Sequence, residues 1–278
     1  MAYFRSVMHV ICSALMFALA GVIVKFVSAD MDTLSLVFWR NIFSFLCVAM
    51  VGVFSGKLSF KSERKGVHAL RSLFTFFALL TYFFAVKNTE LSTAVLLQQT
   101  SPVFVPVIAL LVLKKFPDPF VWIGTVVGFI GVALTSGVGT HSLNIGDLAG
   151  IISGMMGGAA TITIWLMSDT ESPYRQMLFF SIFTLLYSLV LIPWVWHSFD
   201  LSSIPYLMLL GVVTTLAQYF LSVACSYAPT DKIVSWTYLS VVFAALFGYF
   251  GWSEKLTVSM ILGMIMIVIG AQITLKRA

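Results

Sequence analysis

The stretch that decides the fold runs from Thr81 to Ser136 and reads TYFFAVKNTELSTAVLLQQTSPVFVPVIALLVLKKFPDPFVWIGTVVGFIGVALTS. It holds the end of one apolar run and two further complete runs, separated by short polar breaks. The same layout returns from Gln218 as QYFLSVACSYAPTDKIVSWTYLSVVFAALFGYFGWSEKLTVSMILGMIMIVIGAQIT. Because the chain repeats itself once, after roughly half its length, we interpret it as a duplicated unit.

Composition predicts that the protein lies in a membrane. The chain is 60% hydrophobic and 10% charged, with a mean hydropathy of +1.01, whereas a soluble domain carries about 25% charged residues. Apolar runs of about 20 residues separated by polar breaks are typical of transmembrane helices. The runs are too long and too uniformly apolar for the strands of a membrane barrel. The expected fold is therefore an all-α integral membrane protein.

Ten apolar segments give two repeats of five helices, predicted at 1–137 and 147–278 and joined by a linker at 138–146. Five is an odd number, so the second repeat is expected to lie inverted in the membrane. Sites in such inverted-repeat proteins lie near the midplane, where the repeats meet. The segments, bounded to within about 2–4 residues, are 7–27, 33–54, 67–87, 91–113, 118–137, 145–167, 174–195, 203–224, 230–250 and 256–275.

The positive charges predict the orientation. The connection after segment two holds Lys57, Lys61, Arg64 and Lys65, whereas the matching connection after segment seven has no Lys or Arg. Cytoplasmic loops carry an excess of these residues, so both termini are expected in the cytoplasm. The same rule accounts for the net charge of +5 without a nucleic-acid partner.

No cofactor or metal is expected from the sequence. Cys12, Cys47 and Cys225 lie in separate apolar runs, with neither a metal-ligand spacing nor a disulfide framework. The chain has no glycine-rich phosphate loop, which argues against ATP hydrolysis. No carboxylate falls in the middle of a segment, and this favours facilitated diffusion or exchange over proton pumping.

A polar cluster within segment four is the first candidate for substrate binding. Gln98, Gln99 and Ser101 precede Pro102, which lacks the N–H that a helix needs at that position. Polar groups inside a span are costly and often functional. The counterpart in segment nine supplies Trp236 and Tyr238, and amides opposite an aromatic group would suit a planar, polar or zwitterionic solute. Hydrogen bonding between helices is the alternative interpretation.

Three further residues complete the predicted substrate site. Tyr82 and Gln218 occupy nearly matching positions in segments three and eight and could extend the same cavity; an interfacial tyrosine and a packing glutamine are the alternative. Arg40 in segment two aligns with Phe180 in the second repeat, so symmetry does not explain its charge. Arg40 could bind an anionic group or act as a gate; alternatively it reaches the outer interface or pairs with Asp30 or Asp32.

Other polar and small residues are interpreted structurally. Arg71, near the predicted cytoplasmic start of segment three, is expected to be an anchor at that surface. Glycines on one helix face permit close packing or self-association, so a homodimer is one alternative. The glycines of segment six could also permit bending. These small-residue faces contain Gly124, Gly128 and Gly131, then Gly150, Gly154, Gly157 and Gly158, and finally Gly263 and Gly270.

The sequence resembles the drug/metabolite transporter superfamily, EamA type. The resemblance rests on two five-segment halves, Trp39-Arg40, Arg71, Ser101-Pro102 and the glycine-rich fifth and tenth segments, and it covers essentially the whole chain. It implies a carrier of the bacterial inner membrane for small metabolites.

We therefore expect a secondary transporter for a small organic metabolite such as an amino acid, working by alternating access. Its predicted partners are that solute and the lipid bilayer. One alternative is a carrier that takes up or exchanges S-adenosylmethionine or a nucleoside-like metabolite. Alternatives from other classes are a lipid flippase and a membrane-embedded enzyme. An enzyme would need clustered histidines or acidic residues at one membrane face, and the sequence offers none, so catalysis is not expected.

Overall fold

The computed structural model describes residues 2–27, 31–56, 59–88, 91–114, 116–136, 144–191, 193, 203–229, 233–252 and 257–273. Within them the fold is helical. Its helices are α1 Ala2–Val27, α2 Thr33–Ser55, α3 Lys65–Asn88, α4 Leu91–Gln98, α5 Ser101–Leu113, α6 Pro119–Ser136, α7 Ile145–Met167, α8 Pro173–Leu189, α9 Ile204–Tyr227, the 3-10 helix Val234–Tyr238, α10 Leu239–Trp252 and α11 Val258–Ile273.

The ten predicted segments are recovered as ten helical stretches of the described residues, two of which are interrupted. Segment four divides into α4 and α5, and segment nine begins as the 3-10 helix that continues into α10. Within the described ranges, six helical stretches are long and apolar enough to cross a membrane. Their outer faces are apolar, with Phe54 86% exposed and Phe250 79% exposed, as expected for side chains that meet lipid.

Local sequence explains where several helices begin and end. Asp32 caps α2 by accepting a hydrogen bond from the Ser35 amide, and Gly56 ends the same helix with φ +63°, a conformation that glycine adopts without strain. At α7, the Asn144 side chain accepts from the Asp147 amide, and the Asp147 carboxylate accepts from the Asn144 amide. This reciprocal cap satisfies two donors that a helix start otherwise leaves free.

The halves interlock through equivalent contacts. The Ser13 hydroxyl in α1 donates to the Ala217 carbonyl of α9 at 2.8 Å, and the Ser153 hydroxyl in α7 donates to the Ala78 carbonyl of α3, also at 2.8 Å. α7 is the counterpart of α1 and α9 is the counterpart of α3, so one contact occurs twice with the halves exchanged. Reciprocal contacts of this kind are what a two-fold relation produces.

One end of the bundle collects the starts of α1, α3 and α8 with the ends of α7 and α9, and we call it the N-terminal end. The Ser6 hydroxyl of α1 donates to the Ala224 carbonyl of α9. The Arg64 guanidinium, just before α3, donates to the Leu166 carbonyl of α7. α1 therefore begins where its counterpart α7 ends, and the second copy is inverted with respect to the first.

Glycine faces join α6 to α11, as the packing interpretation predicted. A Cβ on Gly131 would lie 2.6 Å from the Gly263 carbonyl oxygen, and one on Gly270 would lie 2.6 Å from the Gly124 carbonyl oxygen. The two backbones therefore approach too closely for any larger residue. Within one chain, the glycine face of α6 packs on the glycine face of α11. Self-association through glycine faces remains a prediction.

Candidate functional site

The interruption in segment four falls at Gln99 and Thr100, inside the predicted polar cluster. The Thr100 hydroxyl donates to the Leu97 carbonyl at 2.7 Å, and the Thr100 amide donates to the same oxygen at 3.2 Å. Pro102 has no N–H to offer Gln98, so regular helical bonding stops here. Behind the break, a Cβ on Gly154 of α7 would lie 2.7 Å from the Leu97 carbonyl oxygen.

The interruption in segment nine occupies the equivalent position in the second copy. The Thr237 hydroxyl donates to the Val234 carbonyl at 2.6 Å, and the Ser240 hydroxyl donates to the Thr237 carbonyl at 2.8 Å. Bonds from a side chain to a backbone carbonyl compete with helical bonding and bend the chain. Thr100 and Thr237 thus bond the carbonyl three residues earlier in both copies.

The two interruptions contact each other through Gln99. Its side-chain amide donates to the Thr237 carbonyl at 2.9 Å and also to the Ser240 hydroxyl. The first polar stretch therefore contacts the second through Gln99, by way of a backbone carbonyl and a hydroxyl. Gln98 and Ser101 are half-buried on either side of the break, with Ser101 facing Gly157 of α7.

The aromatic residues of the second interruption differ in their surroundings. Tyr238 is fully buried; its ring lies on Gly128 of α6, and its hydroxyl reaches the Thr125 carbonyl at 3.4 Å. This side chain packs between helices in the conformation described. Trp236 is half-buried, and its indole N–H has no hydrogen-bond partner in the described part of the chain. Of the two, Trp236 is the one with a donor to offer.

The remaining predicted residues lie elsewhere in the bundle. Tyr82 is buried in α3, with its hydroxyl 3.8 Å from the position that a Cβ on Gly21 of α1 would take. Gln218 of α9 accepts from Arg71 at 3.4 Å. Arg40 donates from Nε to the Thr214 hydroxyl at 2.9 Å. These residues do not join Gln99 in a hydrogen-bonded group of the described residues.

Arg40 is 1% exposed and belongs to a buried polar network between α2, α8 and α9. Its Nη1 donates to the Asn41 side-chain oxygen at 2.6 Å, and the Asn41 amide donates to the Ser188 hydroxyl at 2.6 Å. The alternative in which Arg40 reaches the outer interface is wrong, because protein surrounds it. Asp32 instead caps α2, and Asp30 lies outside the described residues.

Arg71 is not the surface anchor that the sequence predicted. It is fully buried, and its guanidinium donates to the Gln176 carbonyl at 3.4 Å, the Gln176 side chain at 3.3 Å, the Gln218 side chain at 3.4 Å and the Ser222 hydroxyl at 3.3 Å. The Phe180 ring lies 5.2 Å below it. Phe180 is the residue that aligns with Arg40, so the two copies place an arginine and an aromatic ring at one equivalent position.

Sequence reasoning missed most of the buried hydrogen-bonding residues around Arg40 and Arg71. We call this set of residues the polar seam. Its hydrogen-bonding residues recur every fourth position along α8 and α9, which puts them on one face of each helix. Serine and threonine are also common packing residues in membrane helices, so this spacing would have been the only signal. The seam residues that the sequence did not single out are Asn41, Ser44, Gln176, Thr184, Ser188, Thr214, Thr215 and Ser222.

Glu171 joins the halves at the N-terminal end of the bundle. It is 3% exposed and accepts hydrogen bonds from the Ser62 hydroxyl at 2.5 Å and from Arg175 at 3.0 Å, with His68 Nε2 at 3.7 Å. Burial pushes the pKa of the Glu171 carboxyl upward, but the bonds from Ser62 and Arg175 outweigh it and hold that pKa below its ordinary value of 4.5. The carboxylate is therefore ionised at neutral pH and ties Ser62 of the first half to the second half.

No group of three or more His, Cys, Asp or Glu residues that could hold a metal ion occurs in the ranges that the structure describes.

Known proteins identify the fold and the family. The model of the EamA-like transporter family matches twice, at residues 5–137 and 144–276. The chain belongs to the EamA-like transporter family. It is therefore an integral membrane protein of a transporter family, and each copy of the duplicated unit matches the family by itself.

Curated relatives of this EamA-like chain are named as transporters. The pseudopaline exporter of Pseudomonas aeruginosa is 27% identical, over 98% of this chain and 95% of the exporter. The S-adenosylmethionine uptake transporter of Rickettsia prowazekii is 24% identical, over 96% of this chain and 90% of that protein. A crystal structure of a protein 16% identical superposes with a TM-score of 0.80, covering 100% of this chain and 99% of the other, which shows the same fold.

Proposed function

We propose that this protein is a secondary transporter that moves a small organic metabolite across the membrane by alternating access. The observation that carries the proposal is the contact between two interrupted helices at equivalent positions of inverted copies, made by Gln99 and the Thr237 carbonyl. Transporters with inverted repeats place their substrate sites at such interruptions, because unwound backbone leaves polar groups available to a solute.

The proposed cycle is a rocking of one copy against the other. At the centre, the copies are linked by the Gln99 bonds, and at the N-terminal end by Glu171. These bonds add to the hydrogen bonds and glycine packing that interlock the halves, and a conformation that breaks the bonds at one end needs an equivalent set at the other. Rigid-body exchange between related repeats opens the central site to alternate sides.

We place the N-terminal end of the bundle in the cytoplasm and the protein in a bacterial inner membrane. Arg5, Lys61, Arg64, Lys65 and Arg175 lie at this end among the described residues. Loops on the cytoplasmic side carry such an excess of Lys and Arg. Cysteine accessibility from each side of right-side-out vesicles tests this assignment, and external labelling of a cysteine placed at Lys61 would contradict it.

Transport is tested with purified protein in proteoliposomes preloaded with unlabelled solute. Labelled S-adenosylmethionine and labelled amino acids are added outside, without ATP. We expect accumulation of at least one labelled solute above protein-free liposomes, dependent on the same solute inside. The absence of counterflow for every compound, with protein that still runs as a single folded species, would contradict the proposal for these solute classes.

Alternating access is tested separately from solute identity. In a background without Cys12, Cys47 and Cys225, cysteines replace Ser62 and Glu171, whose side chains touch across the two copies. A short reducible cross-linker should stop transport, and reductant should restore it. Cysteines at Met50 and Phe54, both on α2, provide the matched control, because a link within one helix leaves the copies free to move. Full transport by the cross-linked 62/171 protein would rule out movement at this end.

Uptake of S-adenosylmethionine is the second candidate, favoured by the named transporters from several Rickettsia species. The export named for the Pseudomonas aeruginosa relative favours the opposite direction. Counterflow in the assay above with S-adenosylmethionine, but with none of the amino acids, would select this candidate.

A further inference from the structure

We propose that Arg71, together with Gln176, Gln218 and Ser222, forms a binding site for the carboxylate group of the transported solute. This inference rests on the proposed function and names the class of its substrate: small organic molecules with a free carboxylate. The site lies between α3 of the first copy and α8 and α9 of the second.

The guanidinium of Arg71 is buried, lies near the Cys225 thiol and forms no ion pair with a described acidic residue. All four of its hydrogen bonds go to neutral groups, namely a backbone carbonyl, two side-chain amides and a hydroxyl. A buried cation is costly unless an anion pairs with it. Arg175 shows the contrast, since it is partly exposed and pairs with Glu171 at 3.0 Å.

The bonds of Arg71 are also long and incomplete. They span 3.3–3.4 Å, whereas N–H···O bonds have their most frequent distance at about 2.9–3.0 Å. The Nε–H is buried and has no partner within the described part of the chain. Arg40 differs, with bonds of 2.9 Å to Thr214 and 2.6 Å to Asn41 among the described residues. Of the two buried arginines, Arg71 is the one with donor capacity to spare.

A carboxylate matches what this site lacks. Its two oxygens accept parallel N–H bonds from the guanidinium fork, and its single charge balances the single charge of Arg71. The Gln218 amide and the Ser222 hydroxyl can reorient to donate as well, whereas the Gln176 amide already donates to the Glu171 carbonyl at 3.2 Å. The Phe180 ring centroid lies 5.2 Å from the guanidinium carbon and packs against the cation. A phosphate dianion would leave one charge unbalanced here, so we assign the site to carboxylates.

We place access to the site on the side of Gln218, its least buried residue. Arg71 and Ser222 are fully buried, and Gln176 is too, whereas Gln218 is only half-buried. Gln218 was singled out from the sequence as an extension of the predicted central cavity, and its bond to Arg71 links that predicted position to the guanidinium. A solute held at the interruptions could therefore place its carboxylate at Arg71 when the copies separate.

The test uses acetate, the smallest stable probe that carries a carboxylate and a carbon substituent. The melting temperature of the full chain in lipid nanodiscs is measured as sodium acetate replaces sodium chloride at constant ionic strength. At about 100 mM acetate we expect a rise of about 3 °C, because a ligand that binds the folded state stabilises it. Acetamide, a neutral molecule of the same shape, should give no rise.

Three variants assign the effect to Arg71. Arg71→Gln should abolish the acetate shift, whereas Arg175→Gln, which removes the same charge from the same end of the bundle, should retain it. If Arg71→Gln does not fold, Arg71→Lys decides the matter. Lysine keeps the charge without the fork, so the acetate concentration needed for half of the shift should rise severalfold. Absence of a shift in the wild type, a shift that persists in Arg71→Gln, or an unchanged dependence in Arg71→Lys would each overturn the proposal.

Failure of this inference is distinguishable from failure of the transport proposal. Acetate binding is measured without any flux, so binding without transport would refute only the proposed function. In the counterflow assay, S-adenosylmethionine is compared with its decarboxylated analogue. Equal rates for the two compounds would refute the carboxylate site and leave transport established.

Discussion

The interruptions at Gln99–Thr100 and at Val234–Tyr238 occupy equivalent positions, yet they are built differently. Pro102 follows the first interruption, whereas Leu239 stands at the equivalent position after the second. In both, a threonine hydroxyl bonds the carbonyl three residues earlier. The comparison teaches that proline is not required to interrupt these helices, because the shared feature is the threonine.

The interruptions also differ in what packs behind them. Glycines of α7 lie against the first, with Gly150 and Gly154 facing Leu97 and Thr100. The second places the large ring of Tyr238 on Gly128 of α6. The first interruption therefore meets the glycines of α7 closely along its backbone, whereas the second meets α6 through its own Tyr238 side chain. Because backbone atoms cannot move aside, the first interruption should tolerate added side-chain volume less well than the second.

The largest effect is expected from Gly154→Ala. The new methyl group would overlap the Thr100 hydroxyl and lie 2.7 Å from the Leu97 carbonyl oxygen, and the second atom is backbone that cannot rotate away. Overpacking of this kind costs about 1–3 kcal/mol, measured as a lower melting temperature in detergent. Gly157→Ala is the matched control, since its methyl group would meet Ser101 at an ordinary 3.4 Å. Equal melting temperatures for the two variants would contradict the close contact behind the first interruption.

A smaller loss is expected from Gln99→Leu, which removes the direct link between the interruptions. The Gln99 amide gives up its bonds to the Thr237 carbonyl and the Ser240 hydroxyl. Hydrogen bonds between membrane helices contribute about 0.6–1.7 kcal/mol, so the melting temperature should fall modestly. Gln98→Leu makes the same chemical change at a residue with no side-chain bond to the described residues, and it should change stability less. A larger loss of stability in Gln98→Leu than in Gln99→Leu would mean that the Gln99 link does not stabilise the fold.

Lowering the pH should weaken the Glu171 contact at the N-terminal end and leave the contacts of both interruptions unchanged. The pKa of Glu171 is lowered in the folded protein, so its stabilising contribution is full above pH 4.5 and is lost as pH falls through the folded pKa. Gln99, Thr100 and Thr237 do not titrate in this range. The stability difference between wild type and Glu171→Gln should therefore shrink below pH 4.5, whereas the difference for Gln99→Leu should stay constant. A Glu171→Gln difference independent of pH would contradict the ionised contact.

The smallest effect is expected from Pro102→Ala, which makes the first interruption resemble the second. The Thr100 hydroxyl, the packing of α7 and the Gln99 link all remain, so stability and transport should stay close to wild type. Thr100→Val keeps the proline but removes the shared hydroxyl, and we expect the larger loss there. If Pro102→Ala were the more damaging of the two, proline would be the determining residue at the first interruption.

The sequence predicted the first interruption because glutamines, a serine and a proline are conspicuous inside an apolar run. It did not predict the second, because Ser235–Tyr238 has no proline and the repeat indicated only a polar and aromatic counterpart there. Glycine spacing likewise predicted close packing of α6 and α11, but not that they pack on each other. Local composition therefore located the first interruption and the close-packing faces.

The polar seam could not be predicted in the same way. Arg71 lies near the start of an apolar segment, and position within a segment does not reveal which neighbouring helices cover a side chain. Its burial follows from the packing of α8 of the second copy on α3 and from the side chains that α9 contributes. The roles of Gln176 and Ser222 could not be predicted for the same reason. Each becomes a partner of Arg71 only when helices that are distant in the sequence pack together.

The exchange of contacts between halves has a consequence for biosynthesis. A ribosome delivers α1 to α6 to the membrane before α7 to α11, yet α1 packs on α9, α3 on α7 and α6 on α11. The earlier helices must wait in the bilayer with Arg40 and Arg71 uncovered until their late partners emerge. A truncated product ending in the linker would keep both guanidiniums exposed to hydrocarbon, and we expect membrane quality-control proteases to remove it.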